Sequence, residues 1–260
     1  MVILRLQTLR DKVVTLGGLL LLMTVITMSL INVAAARRSG LVMVKGQLAA
    51  LMQSHAEGVG EWVAVRKRLA GALATVALDS DPGPAVHLIK QAGQVDASYI
   101  GYADQHSVWS ERSPVTAGYD PTTRPWYRQA AQSEAAVITA PYVDAATHAL
   151  VVSAAQAVRV DGAVQAVAAV DVSMQGVVQT IATIRPTPNS FGFIVSRTGQ
   201  ILVHEQPALW LTPVAAWAPE LTVETLARLV TATELLPVEV QGEDFLLTGR
   251  PIAGTDWLLL

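Results

Sequence analysis

The chain of 260 residues contains no cysteine, few aromatic residues and no excess of positive charge. The absence of cysteine excludes disulfides, thiolate metal ligands and cysteine nucleophiles. With 18 basic and 21 acidic residues, the formal net charge is -3. A nucleic-acid-binding surface needs clustered positive charge, so this balance argues against nucleic acid as a partner.

The sequence also lacks the usual signatures of catalysis and metal binding. Its histidines are scattered without metal-ligand spacing, and neither a Gly-x-Ser-x-Gly motif nor a phosphate-binding glycine loop occurs. We therefore expect no metal, no cofactor and no enzymatic activity in this chain. A hydrolase remains a rival interpretation, for which Asp144 and Asp171 would be the paired acids. The histidines are His55, His87, His106, His148 and His204.

One long apolar run stands near the N-terminus. Residues 13–36 carry no charge across 24 positions, which is enough for a helix to cross about 30 Å of hydrocarbon. We predict a transmembrane helix over 13–36, with residues 1–12 in the cytoplasm. The alternative is a cleaved signal peptide, because Val33-Ala34-Ala35-Ala36 resembles a cleavage site.

The next segment, residues 37–78, has the periodicity of a long helix. Its apolar residues recur at intervals of three and four, and the segment would be about 60 Å long. We predict a stalk that forms a homodimer, or alternatively a helix that packs along its own domain. Gly58, Gly60 and Gly71 allow a bend near residue 58. The predicted stripe is Leu41, Val44, Leu48, Leu51, Trp62, Leu69, Leu73 and Val76.

A first globular lobe is expected over residues 79–185, because Pro82, Gly83 and Pro84 end the helix. Alternation and turn signals predict an antiparallel sheet with helices on one side. Asp161-Gly162 is the predicted turn of its last hairpin. The expected strands are 99–103, 108–110, 137–143, 149–158 and 163–172, and the expected helices are 86–94, 125–132 and 173–184.

A second, smaller lobe is expected over residues 186–260, after the break at Arg185-Pro186-Thr187-Pro188. The last four residues, Trp257 to Leu260, read as a closing strand. The expected elements are a hairpin of 191–196 and 200–204, a helix over 223–231 and a hairpin of 236–240 and 245–249. The fold class is therefore α+β, with two lobes that each contain an antiparallel sheet.

The most distinctive residues lie between Tyr119 and Asp171. The motif Tyr-Asp-Pro-Thr-Thr-Arg-Pro-Trp-Tyr occupies 119–127, Pro-Tyr-Val-Asp occupies 141–144, and Asp171 ends a strand. This segment concentrates a fixed cation, carboxylates and large aromatic rings in a chain that is only 5% aromatic. Such a composition is typical of a pocket for a small polar ligand.

With these motifs, and Thr-Gly-Gln-Ile-Leu-Val-His at 198–204, residues 37–260 resemble the double Cache (dCache) sensor domains of bacterial chemoreceptors, sensor kinases and cyclic-dinucleotide enzymes. The resemblance implies two PAS-like Cache lobes, of which 79–185 would be membrane-distal and ligand-binding and 186–260 membrane-proximal. It implies a receptor in the inner membrane whose sensor region is periplasmic or extracellular. A second transmembrane helix and an output domain would follow Leu260.

Within that superfamily, the pattern of the amino-acid-sensing subgroup matches six positions of this chain. By this likeness Arg124 and Trp126, assisted by Tyr119, would hold the α-carboxylate of a free L-amino acid. Tyr127, Tyr142 and Asp171 would surround its α-ammonium. The opposite charges of Arg124 and Asp171 suit a zwitterion independently of the likeness.

Each of these positions also has a purely structural interpretation. The Arg-Pro-Trp-Tyr segment can simply pack the loop against the sheet, and Asp171 can cap the following helix. Asp144 reads as a turn residue, although it could also lie just behind the groups that contact the ammonium. An amine or carboxylate sensor, and a ligand-free dimerisation scaffold, therefore remain as alternatives to an amino-acid sensor.

Overall fold

A computed structural model describes residues 9–111, 118–182, 184–185, 190–231 and 235–260 of the chain. Residues 1–8 and the predicted boundary between the lobes at 186–189 lie outside these ranges. By internal contacts the chain divides into two compact units, residues 1–49 and 50–260.

A single helix, α1 (Leu9–Ala74), runs through both units. In the first unit its segment Lys12–Ala36 is apolar, 25 residues long and exposed along the side chains that the structure describes. The N-terminal apolar helix is thus confirmed, and it is long enough to cross a membrane.

In the second unit, α1 packs along its own domain, as one of the two alternatives predicted. Its buried side chains recur at intervals of three, four and seven residues, whereas Leu51, Trp62 and Leu69 of the predicted stripe are only half-buried. The prediction was right for Leu73 but otherwise wrong by about one residue on the helix surface, and the side chains of Leu41 and Val44 lie outside the described ones. The helix passes Gly58 without a break and ends at Ala74, four residues before the predicted end. The buried residues are Met52, Ala56, Val59, Val63, Ala70 and Leu73.

The first lobe contains one antiparallel sheet with strand order β2-β1-β6-β5-β3, and a short β4 also pairs with β5. The predicted sheet is confirmed. Its strands are β1 (Ala97–Tyr102), β2 (Ser107–Trp109), β3 (Val137–Ile138), β4 (Tyr142–Val143), β5 (Leu150–Val160) and β6 (Ala163–Ser173). The helices of this lobe are α2 (Gly83–Gly93), α3 (Pro125–Ala131) and α4 (Met174–Ala182).

The single strand predicted over 137–143 is instead two short strands, β3 and β4. Pro141 lies between them, and proline has no N–H with which to continue a ladder. The break lets the chain leave β3 and return beside β5 at Tyr142.

The β5–β6 hairpin forms as predicted around Asp161-Gly162. Both turn residues have positive φ, 52° and 81°, which a two-residue type I′ turn requires. A bulge at Val158/Arg159 shifts the register by one residue, so that Ser153 lies opposite Asp171. Residues opposite each other in an antiparallel pair share a face of the sheet.

The two faces of this sheet are covered differently. Ile100, Ala166 and Ala168 face the end of α1 and α2, in a cluster with Leu73 and Val86. The other face is covered by α3. Its cluster comprises Tyr99, Trp126, Tyr127, Ala130, Ala155, Val167 and Ala169.

The second lobe has a four-stranded antiparallel sheet with order β11-β12-β7-β8 and a separate two-stranded sheet of β9 and β10. Antiparallel sheets in both lobes were predicted, and the closing strand over Trp257–Leu259 is confirmed as β12. The short α5, β11 and a 3₁₀ turn at Pro207–Leu209 were not predicted. The bounds are β7 (Ile194–Ser196), β8 (Ile201–Val203), α5 (Val214–Trp217), α6 (Val223–Thr231), β9 (Leu236–Val240), β10 (Glu243–Leu247), β11 (Arg250–Pro251) and β12 (Trp257–Leu259).

A substitution at Gly101 can test how α3 packs on the sheet. A Cβ at this position would lie 2.6 Å from Cη2 of Trp126 and 2.7 Å from Cβ of Pro121. We expect Gly101→Ala to lower the free energy of unfolding by about 1–3 kcal/mol, because the ring and the proline must move. Chemical denaturation of the 260-residue chain in detergent, followed by tryptophan fluorescence, measures this loss.

The matched control is Gly58→Ala, on an open position of α1 with no atom within 4 Å of the added Cβ. Replacing glycine by alanine inside a helix favours folding by up to about 1 kcal/mol. Equal effects of the two substitutions would contradict the packing described for Gly101.

Candidate functional site

The loop that carries the motif is built by Asp120 and two prolines. The Asp120 carboxylate accepts from the Thr122 N–H at 2.8 Å and so caps a 3₁₀ turn over Pro121–Thr123. Arg124 is extended, with φ −79° and ψ 151°, as expected for a residue that precedes proline. Pro125 then begins α3. The chain thus changes direction at the extended residue Arg124, which joins the 3₁₀ turn to α3.

Trp126 anchors this loop on the sheet. Its side chain is 1% exposed and meets the Tyr99 ring edge-on, with 4.9 Å between the ring centroids. Gly101 and the small residues of β5 and β6 leave the space for the indole. Trp126, which was predicted to contact the ligand, is therefore part of the hydrophobic core as well.

Asp171 lies at the centre of a buried network of hydroxyls. The Tyr99 hydroxyl donates to its Oδ1 at 2.7 Å, and the Ser153 hydroxyl donates to the same oxygen at 2.5 Å. The hydroxyls of Tyr142 and Ser153 are 2.6 Å apart. No described residue donates to Oδ2 of Asp171, so one carboxylate oxygen remains available to a ligand.

Burial governs the protonation of Asp171. The residue is 4% exposed, and desolvation raises the pKa of its carboxyl to about 7. The hydrogen bonds from Ser153 and Tyr99 work in the opposite direction, while the charge of Asp144 adds to the increase. A cation placed beside this carboxylate would relieve the cost of burying its charge.

Arg124 approaches the same place from the loop. Its guanidinium lies 5.8 Å from the centroid of the Tyr142 ring and donates to the carbonyl of Val143 at 3.2 Å. No acid among the described residues forms an ion pair with Arg124. The arginine is thus held by one carbonyl and a ring, with donors left for an anion.

Tyr119 lies within electrostatic reach of both charged groups. Its ring contacts Trp109 at 5.9 Å, and its hydroxyl is close enough to both Arg124 and Asp171 for each charge to influence its pKa. Desolvation raises the pKa of Tyr119 to about 12, and a hydrogen bond with Trp126 partly opposes this. Burial likewise raises the pKa of Tyr142. Both hydroxyls therefore stay protonated and can act as donors.

Two of the predicted residues make their own contacts outside this centre, although the charge of Asp144 still influences the pKa of Asp171. Tyr127 is 6% exposed within the core under α3, and the carboxylates that influence the pKa of its hydroxyl are Asp120 and Asp104 rather than Asp171. Asp144 serves as a turn residue, since its Oδ1 accepts from the Thr147 N–H at 2.7 Å. Contacts of either residue with a ligand stay predictions.

Sequence reasoning missed Tyr99 and Ser153, the two residues that hold Asp171. Ser153 could have been placed near Asp171 from the predicted hairpin, but without the bulge the opposite residue would be Val152. Tyr99 reaches Asp171 diagonally across the β1–β6 pair, in which Ala97 is opposite Asp171. That pairing is long-range and has no local signal.

Fold and site together define a class of protein. The chain has two lobes with antiparallel sheets, a helix packed along them and, in the first lobe, a cation and an anion among aromatic rings. Among the described residues no group of three or more His, Asp or Glu could hold a metal. This is the architecture of a small-molecule sensor of the PAS-like kind.

Comparisons with known proteins support this assignment to a class of sensors. Residues 84–179 match the family described as "Methyl-accepting chemotaxis protein-like, first PDC sensor domain". The ligand-binding domain of the Pseudomonas fluorescens chemoreceptor CtaA, solved with L-isoleucine, superposes with a TM-score of 0.71 at 27% identity, covering 86% of this chain and 93% of that one. The corresponding domain of PctB of Pseudomonas aeruginosa, solved with L-Arg, gives 0.71 at 26% identity, covering 83% and 92%.

Two longer proteins are similar to this chain over part of their own length. The methyl-accepting chemotaxis protein PctB is 27% identical over 255 residues, which are 95% of this chain but 40% of PctB. Adenylate cyclase 1 of Rhizobium meliloti is 29% identical over 168 residues, which are 61% of this chain and 24% of the cyclase. The chain thus spans less than half the length of these relatives.

The resemblance to the double Cache sensors of bacterial chemoreceptors, which the motifs indicated, is confirmed by these comparisons. The family match covers the lobe that holds Asp171, and the neighbouring solved structures cover both lobes.

Asp171 also makes the stability of the protein depend on pH. Because its pKa is about 7 in the folded chain against an ordinary value of 3.8, the folded state keeps a proton that the unfolded state releases between these values. Stability should fall as pH rises from about 4 to 7 and change no further above that. In Asp171→Asn the amide oxygen accepts the same hydrogen bonds without a charge. We therefore expect this substitution to reduce the change in the free energy of unfolding between pH 4 and 7 by a few kcal/mol.

Thermal unfolding of both proteins between pH 4.5 and 8 measures the difference. The control is Asp161→Asn, in the exposed turn of the same hairpin, which should follow the unmodified chain. Parallel curves for the unmodified chain and Asp171→Asn would contradict the raised pKa.

Proposed function

We propose that this chain is the sensor region of a bacterial transmembrane receptor and binds a free L-amino acid in the first lobe. The observation that carries the proposal is the state of Asp171, a buried carboxylate with one oxygen held by two hydroxyls and the other without a described donor. A buried charge of this kind is stabilised by an opposite charge, and an α-ammonium group supplies one.

The other pole of the ligand is assigned to the loop side of the site. Arg124, with Trp126 and Tyr119, is proposed to hold the α-carboxylate, since guanidinium donors match both carboxylate oxygens. Tyr142 and Asp171, with Tyr127 as the less direct member, are proposed to surround the α-ammonium. The ring of Tyr142, which lies against Arg124, adds an aromatic wall and excludes water.

The relatives support this assignment. CtaA is solved with L-isoleucine and PctB with L-Arg, ligands whose side chains differ in charge and shape but whose α-carboxylate and α-ammonium are identical. A site that contacts these two shared groups suits the Arg124–Asp171 arrangement.

We further propose the arrangement of the receptor around this site. Residues 13–36 would anchor the chain in the inner membrane, 79–185 would be the membrane-distal lobe in the periplasm and 186–260 the proximal one. A homodimer would form along α1, at the N-terminal part of the predicted stalk. The relatives include chemoreceptors and a cyclase, so we assign the sensor region itself no catalysis and leave any enzymatic activity to an output domain.

One observation favours a second candidate, an amine sensor. At the Asp171 end of the site one carboxylate oxygen has no described donor and is available to an ammonium, whereas Arg124 already donates to the Val143 carbonyl. A ligand with an ammonium but no carboxylate would use the first end and leave this bond intact.

Calorimetry with three ligand sets separates these candidates: the L-amino acids, the amines made from them by decarboxylation, and their α-keto acids. We expect binding of amino acids alone, because each of the other sets leaves one charge of the site unpaired. Asp171→Asn and Arg124→Ala should each weaken amino-acid binding more than tenfold, since losing one partner of a buried ion pair costs about 2–5 kcal/mol. Tyr127→Phe should cost less.

The controls are Asp161→Asn and Arg197→Ala, exposed residues of a distant turn and of the second lobe. Neither should change the affinity. Amines that bind as tightly as amino acids would assign the site to amine sensing and remove Arg124 from its role. The absence of binding by all three sets would favour the ligand-free scaffold.

A further inference from the structure

The second lobe contains a partly open cavity of about 200 Å³ that the proposed amino-acid site does not use. Its walls are the rings of Phe191, Trp217 and Phe245, all half-buried, together with His204. Phe191 meets Trp217 and Phe245 edge-on, with 6.0 and 5.7 Å between centroids. The Phe191 ring therefore stands at a steep angle to each of the other two rings, and the three together form a box that lines the cavity.

His204 lines this cavity and has one ring nitrogen without a partner among the described residues. The residue is 1% exposed, and its Nδ1 accepts from the Gln206 N–H at 3.0 Å. The proton of the neutral ring therefore lies on Nε2, which is buried and has no partner among the described atoms. Desolvation lowers the pKa of His204, which favours the neutral ring. A buried N–H without an acceptor lowers stability, so an acceptor from a ligand would be stabilising.

The rim of the cavity is acidic. Glu205 and Glu243 both line it, and Glu205 is paired with Arg185 at 2.7 Å. Glu243 is exposed and forms no ion pair with a described residue. Glu243 lies opposite Val240 across the β9–β10 pair, and Val240 borders the cavity, so the Glu243 carboxylate stands on the cavity side of this ribbon.

From these features we infer that the box of Phe191, Trp217 and Phe245 is a second ligand site, for a small organic cation that also bears a hydroxyl or carbonyl oxygen. Aromatic faces attract a cation through their quadrupoles, and a carboxylate at the rim adds to that attraction. The oxygen of the ligand would accept from Nε2 of His204. The site lies in the other lobe from Asp171 and is independent of the function proposed there.

Three probes of similar size test each part of this site. Choline carries both the cation and the hydroxyl, 3,3-dimethyl-1-butanol keeps the shape and hydroxyl without the charge, and tetramethylammonium keeps the charge without the hydroxyl. Calorimetry on the 260-residue chain in detergent should show choline binding best, with the uncharged probe weaker by about tenfold and tetramethylammonium weaker by severalfold.

Glu243→Gln should weaken choline binding by about threefold or more, because it removes the charge at the rim without touching the core. The matched control is Glu239→Gln, an exposed residue next to Val240 that points to the other side of β9 and should leave the affinity unchanged. Asp171→Asn should also leave choline binding unchanged, which separates this site from the amino-acid site.

Three results would overturn the inference. The first is the absence of choline binding at about 10 mM, which would mean that the rings serve only the core. The second is equal binding of choline and 3,3-dimethyl-1-butanol, which would remove the cation from the assignment. The third is that Asp171→Asn abolishes choline binding while Glu243→Gln leaves it unchanged, which would place the cation in the first lobe.

Discussion

The buried carboxylate of Asp171 is the constraint on which the first lobe depends. Burial raises its pKa, and two hydroxyls from neighbouring strands compensate only one of its oxygens. Such a group lowers the stability of the empty protein once it is ionised, and a bound cation reverses that cost. Under the proposed function, the same desolvation that makes Asp171 unfavourable in the empty lobe would make it selective for a ligand with an ammonium group.

The surrounding fold brings this carboxylate and Arg124 close enough for both charges to influence the Tyr119 hydroxyl. The bulge in the β5–β6 hairpin brings Ser153 opposite Asp171, and Gly101 leaves room for Trp126 to hold the motif loop against the sheet. The break at Pro141 returns the chain so that Tyr142 stands between Arg124 and Ser153. Irregular features of the sheet, rather than its regular strands, therefore determine the geometry of the site.

Local signals account for what could be predicted from the sequence. The Asp161-Gly162 turn, the prolines of the motif and the apolar N-terminal run each act over a few residues, and the elements they predict are present. The motif also predicted Arg124 and Asp171 as ligand contacts, and that stays a prediction. The buried stripe of α1 and the partners Tyr99 and Ser153 depend on helix rotation and strand register, which are set by contacts between distant segments and leave no local pattern. The box around His204 is assembled from four separate elements for the same reason.

The most direct test of this account is the titration of the Asp171 carboxyl by NMR in a chain labelled with ¹³C-aspartate, with Asp171→Asn to assign the signal. Without ligand, the carboxyl should titrate with a pKa of about 7. With a saturating L-amino acid, the ammonium should lower that pKa to about 4–6, because an opposite charge at contact distance favours the ionised form. A pKa near 4 in the free protein, or one that bound amino acid leaves unchanged, would contradict the role assigned to Asp171.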